Sequence, residues 1–112
     1  MDLDKLQAEI VSEMVPASLL NAQDATAIAE HVDFLLGIED VLVADFYDTL
    51  LAHPPTAEVF EPGERPKREE TLRGWWQRTV SDPLDDTYWA WMGLVGVVHI
   101  RRGVRNPMML SM

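Results

Sequence analysis

Residues 88–103 read YWAWMGLVGVVHIRRG, and the folding of this stretch decides how the rest of the chain is read. It is apolar and rich in aromatic residues up to His99, then turns basic. Wound as a helix, positions 88, 92, 95, 99 and 102 step by three and four down one face, stacking His99 in line with Tyr88, Met92 and Val95. The imidazole then faces inward, where two chemistries are open to it. A core histidine satisfies both ring nitrogens within the protein, whereas a ligating histidine gives one nitrogen to a metal while a carbonyl or carboxylate holds the other. Gly93 and Gly96 each cost this helix about 1 kcal/mol relative to alanine. A glycine kept at that cost permits close approach of another helix or of a ligand, here in the turn before His99.

Composition narrows the choices. A chain of 112 residues suits one domain with a single modest core. No tract approaches the roughly 20 apolar residues of a membrane span, and the start lacks the basic and apolar regions of a signal peptide. No membrane partner and a cytoplasmic setting are therefore expected. The absence of cysteine removes disulfides, thiolate nucleophiles and thiolate metal sites, so any redox or metal chemistry must run through histidine, carboxylates, methionine or tyrosine. Residues 1–60 carry twelve acids against Lys5 alone, and residues 61–112 carry seven acids against eight bases, giving −11 and +1. No basic stripe is available to displace counterions from a phosphate backbone, which argues against a nucleic-acid partner. The bases around His99 could instead meet a small anion or an acidic group on a partner. There is no Ser-His-Asp order, HExxH motif or Walker loop, which sets hydrolase readings aside.

The remaining segments read as helices separated by turns. Leu3, Leu6, Ile10 and Met14 give a short amphipathic helix, capped by Asp2 or Asp4 and closed by Pro16, that needs another surface to cover its stripe. A second helix begins near Gln23 after a possible cap at Asn21, and Gly37 ends or interrupts it; His31 within it carries no expected role. A third runs from Ile38 to His53, stopped by Pro54 and Pro55. Within it Tyr47 is either a core tyrosine with a hydrogen-bonded hydroxyl or one that presents the hydroxyl to a pocket. A turn of helix is expected around Phe60, followed by a Gly/Pro surface loop. The next helix starts near Lys67 and reaches Val80, with Leu72, Trp75, Trp76 and Thr79 on its apolar side. Four tryptophans on this helix and the 88–103 helix either fill a small core or line a flat ligand. Asp85 or Asp86 caps the 88–103 helix, and Pro107 follows its end.

Val95, Gly96, His99, Arg101 and Gly103, in the order V-G-x-x-H-x-R-x-G, resemble the proximal-histidine region of the haem-binding globins that include protoglobins and globin-coupled sensors. Phe46, Tyr47, Asp48, Leu50, His53 and Pro54 are similar to the F-Y-D-x-L-x-x-H-P signature of that group's B helix, and Trp76 resembles a tryptophan of its next long helix. Met108 and Met109 stand where the sensors commonly have Trp-Tyr. The similarity spans roughly residues 25–112. It implies an all-α, globin-like domain over residues 1–112, with 1–16 as a peripheral N-terminal helix and with part or all of the two C-terminal helices lacking. A partner chain, and hence a homodimer, could complete the core.

The resemblance further implies haem b as cofactor, with His99 as the iron ligand and Tyr47 as the distal tyrosine able to donate to bound oxygen. Phe46, Phe60, Trp76, Met92 and Val95 become candidate haem-packing residues, and Arg73, Arg78, Arg101 and Arg102 candidate propionate partners. The function expected is binding of O2, CO or NO for sensing or storage. A haem-free regulatory or dimerisation module is the first alternative. Peroxidase-like or NO-detoxifying turnover is the second, disfavoured because Tyr47 offers a hydrogen-bond donor rather than a distal acid/base group.

Overall fold

The computed structural model describes residues 2–14 and 22–111. Among these, the regular structure is entirely helical: α1 Leu3–Glu13, α2 Ala22–Glu30, α3 Val32–Gly37, α4 Glu39–Ala52, α5 Pro54–Ala57, α6 Arg65–Ser81, α7 Asp86–Arg101 and α8 Asn106–Ser111. No described helix is long and apolar enough to cross a membrane. Pro16 and Asn21 lie outside the described residues.

Local chemistry sets the boundaries. Asp2 caps α1, its Oδ1 accepting from the Lys5 N–H at 3.2 Å, and Asp85 caps α7, its Oδ1 accepting from the Tyr88 N–H at 3.1 Å. The helix expected from Gln23 onward breaks at His31 as well as at Gly37. There the ring Nδ1 lies 2.7 Å from the Ala27 carbonyl, while the His31 backbone N–H reaches only Ile28. The side chain has taken the acceptor that would have continued the ladder. The turn expected around Phe60 falls earlier, at Pro54–Ala57, because Pro54 comes preset for a first helical position. The Thr56 hydroxyl donates back to the carbonyls of Leu50 and His53, answering orphan acceptors at the end of α4. α6 starts at Arg65, two residues before Lys67, since Pro66 is tolerated in a first turn. α7 ends at Gly103, whose φ of +82° is a glycine conformation.

The core lies between α4 and α6. Val43 is wholly buried beside Tyr47 and Leu50, and Leu42, Phe46, Leu51, Phe60 and Leu72 pack against them. Ion pairs clasp the same two helices: Arg65 meets Asp48 at 2.7 Å, and Arg73 reaches Glu39 at 3.4 Å and Asp40. These pairs are partly exposed, so the apolar core supplies most of the attachment.

α1 packs along α7. A Cβ built on Gly93 would sit 2.6 Å from Ile10 Cγ2 and 2.7 Å from Ile10 Cδ1, whereas one on Gly96 would meet nothing within 4 Å. The close approach expected just before His99 therefore occurs a turn earlier, at Gly93, and another helix makes it. Gly93→Ala should lower the urea midpoint of unfolding, while Gly96→Ala should raise stability by about 0.5–1 kcal/mol through helix propensity alone. Adding Ile10→Ala to Gly93→Ala should leave a protein at least as stable as Ile10→Ala. Equal midpoints for the two glycine variants would mean that α1 does not seat on Gly93.

Candidate functional site

One face of α7 looks at α6. The Tyr88 hydroxyl lies 3.0 Å from Thr79 Oγ1, Trp75 Nε1 donates to Met92 Sδ at 3.1 Å, and Arg102 binds Glu64. Stepping forward along α7 from Tyr88 to Arg102 steps back along α6 from Thr79 to Glu64, so the helices run antiparallel. Val95 and His99 belong to the same face, and the register sets them across from Leu72 and Arg68. α6 and α7 nevertheless have almost no close backbone approach. Long side chains bridge them, so the slot between the two helical walls is spanned by side chains.

His99 is half-buried on the α7 wall, and its Nδ1 lies 2.7 Å from the Val95 carbonyl. That carbonyl only accepts, so Nδ1 carries a proton, and in the neutral ring Nε2 carries the lone pair. Among the described residues Nε2 has no hydrogen-bond partner. A ring fixed through one nitrogen, with the other open, is how histidine is presented to a metal. No group of three or more His, Cys, Asp or Glu able to hold a bare ion occurs among the described residues. A metal at Nε2 would have to bring its remaining ligands with it.

Tyr47 approaches α6 from α4. The ring is buried, edge-on to Phe46 at 5.1 Å and to Phe60 at 5.9 Å, and its hydroxyl donates to the Arg68 carbonyl at 2.9 Å. Burial raises the Tyr47 pKa, with Arg68 and Arg102 opposing and Glu69 and Glu64 assisting, so the hydroxyl remains a neutral donor. Arg68 thus links the two sides of α6, through its carbonyl to Tyr47 and through its side chain to the slot. Arg68 Nε lies 4.0 Å from Glu64 Oε1 and is buried without a hydrogen-bond partner.

The residues expected at a site are divided by this geometry. Met92, Val95 and His99 share the α7 wall, and Tyr47, edge-on to Phe60, meets α6 at the Arg68 carbonyl. Trp76 turns away, donating its Nε1 to the Leu35 carbonyl at 2.7 Å, and its neighbour Trp75 meets Met92 instead. Phe46 lines a shallow cleft on the outer side of α4 with Ile38, Val41, Leu42 and Asp45. Arg73 is engaged by acids at the start of α4, Arg78 lies 4.2 Å over the Trp91 ring, and Arg101 is exposed. Arg102 alone of those four arginines borders the slot. Sequence reasoning missed Glu64 and Arg68 and carried Trp76 rather than Trp75 to the site; the i,i+4 spacing of Glu64 and Arg68 marks a shared face but not what that face meets.

Glu64 holds the Arg102 end of the slot. Its carboxylate binds Arg102 and accepts from the Glu61 N–H at 3.1 Å, and the Arg102 hydrogen bond, ahead of the Glu61 and Arg68 contributions, holds its pKa below the ordinary value of 4.5. A depressed carboxyl pKa contributes stability above the unfolded value, and that contribution is lost as pH falls through the lower folded value. Glu64→Gln should therefore be less stable than wild type at neutral pH and approach it as pH drops below about 4. Thermal melts of both proteins across that range would check this, and a difference independent of pH would contradict it.

Searches of curated proteins and of solved structures returned no match. The family model described as Protoglobin matches residues 8–112, from within α1 to the end of the chain and across the whole slot. The chain belongs to the Protoglobin family, with the all-α, globin-like fold of that group.

Proposed function

We propose that this domain holds haem b between α6 and α7, with His99 Nε2 as the axial ligand to iron, and that it binds a diatomic gas for sensing or storage. The observation that carries the reading is the His99 ring, anchored through Nδ1 at 2.7 Å from the Val95 carbonyl and open at Nε2. Haem suits the donor set, because a macrocycle supplies the four equatorial ligands that the surrounding side chains do not. It also suits the α7 wall, where Val95 and Met92 are apolar and partly buried, and α6 and α7 make little close backbone approach.

Haem supplies an iron centre able to coordinate O2, CO or NO reversibly. The chain's own residues would do the rest. Val95 fixes the imidazole rotation and, by accepting from Nδ1, raises the basicity of Nε2. Tyr47 offers a neutral buried donor, provided its hydroxyl exchanges the Arg68 carbonyl for the gas ligand. The apolar walls exclude water. A homodimer is part of the same proposal, supported by the exposure of Phe34, Leu36, Val41, Val98 and Ile100.

One observation favours a second reading, a haem-free helical module. Trp75 and Met92 meet across one end of the slot at 3.1 Å and fill it with side chains. Haemin titration separates the two. Under the haem reading the protein develops an intense band near ~400 nm that shifts on reduction and CO addition, and His99→Ala loses tight retention. Unchanged haem binding by His99→Ala would sink the axial assignment, and no uptake by wild type would establish the haem-free module.

With haem bound, Tyr47→Phe should release O2 at least several-fold faster, on the order expected for losing one buried hydrogen bond, while CO affinity moves little. Stopped-flow release rates would check it; an unchanged O2 rate would leave Tyr47 as a core residue bound to Arg68.

A further inference from the structure

Resting on the homodimer part of the reading above, we propose that two copies of the chain meet by setting the outer side of α4 on one against the C-terminal end of α7 on the other. A helix that is apolar all round is a buried helix. α4 is apolar on two sides: Val43, Tyr47 and Leu50 enter the core, while Ile38, Val41, Leu42 and Phe46 line an open cleft with Asp45. α7 has no charged side chain between Tyr88 and Val98. It meets α1 at Gly93 and α6 through Tyr88, Met92 and Arg102, yet Val98 remains 51% exposed, and Val41 on α4 is 64% exposed. Each copy thus leaves one apolar side of each helix uncovered.

Charge decides what covers them. The ion pairs within the chain, made by Arg65, Arg68, Arg73 and Arg102, draw on other acids and leave two exposed charges over. Asp45 at the α4 cleft and Arg101 at the end of α7 have no ion pair among the described residues. Asp45 comes four residues after Val41, and Arg101 three after Val98, so each charge shares a side of its helix with the exposed valine. These steps advance about 6 Å and about 4.5 Å along the helix axes, a difference that the long arginine side chain takes up. Setting α4 against α7 therefore brings apolar to apolar and carboxylate to guanidinium. Setting α4 on α4 would bring Asp45 to Asp45 beside the exposed Asp40 and Asp48, and α7 on α7 would bring Arg101 to Arg101, so like charge opposes both alternatives. Because each copy carries both faces, a two-fold axis makes the contact twice.

The test follows the full chain by sedimentation velocity over a concentration series, with Asp45→Arg, Arg101→Asp and the two combined. Both positions are exposed, and circular dichroism of each variant checks that the helices are intact. Wild type should self-associate, either reversal alone should weaken association about tenfold or more, and the double reversal should recover most of that loss. Asp45→Arg reduces the net charge of −10, which by itself would favour association, so weakening by this variant identifies the contact. Self-association of wild type with neither single variant changed, or a double variant no better than the weaker single one, overturns this contact and leaves the homodimer reading standing. Stronger association of Asp45→Arg with Arg101→Asp unchanged assigns the cleft to α4 of a second copy and overturns it too. A wild type that stays monomeric overturns the homodimer reading with it and leaves the cleft to a different protein. Haemin uptake measured on the same samples reports on His99 separately, so failure of the haem reading is told apart from failure of this one.

Discussion

The distance kept between α6 and α7 is the constraint on which the rest of the molecule turns. Two apolar helical faces ordinarily close until their side chains interdigitate. Here side-chain contacts join them at both ends, Tyr88 with Thr79 near the turn and Arg102 with Glu64 at the other end. Neither clamp is strong by itself, since one is a neutral hydroxyl contact and the other a partly exposed ion pair. Their positions matter more than their strength. They fix an antiparallel register, while α1 supports α7 at Gly93 and α4 supports α6 through Tyr47.

Much of this was legible in the chain, for identifiable reasons. The face Tyr88, Met92, Val95, His99, Arg102 follows from helical spacing alone, and three of its five members make the contacts to α6. Caps at Asp2 and Asp85 were readable because an N-cap is a contact between residues close in sequence. The break at His31 was not, because it depends on a ring nitrogen competing for the Ala27 carbonyl, and periodicity carries no record of such competition. Trp75 and Trp76 show the limit most clearly. Adjacent residues on a helix point in directions about 100° apart, so one of them had to turn from α7. Which one depends on where α3 and α7 lie, and that is tertiary information.

The charge asymmetry of the chain also takes a definite form. The acid-rich first half supplies Glu39, Asp40 and Asp48, and the second half supplies the Arg65 and Arg73 that clasp them, so much of the imbalance is resolved between α4 and α6. The basic cluster that follows His99 divides by helix geometry. Arg102 lies on the slot face and meets Glu64, while Arg101, one residue earlier, is exposed. The acid for this cluster is thus found within the chain, at the N-cap of α6.

The contact of Trp75 with Met92 bears on how firmly the slot is closed. A thioether sulfur is a weak acceptor, and methionine is the most adaptable of the large apolar side chains, with three rotatable bonds and no branching. Opening that end therefore requires a rotamer change at Met92 rather than the rupture of a packed core, at a cost set mainly by a modest hydrogen bond and some buried area. A ligand of large apolar area would replace that area and leave the indole N–H as the group to be satisfied. The asymmetry runs in one direction: the end of the slot filled by side chains is closed by the residue best able to move, whereas the end near His99 is closed by the fixed charges of Glu64 and Arg102. The apolar end can then adapt its volume while the register fixed by Arg102 and Glu64 stays in place.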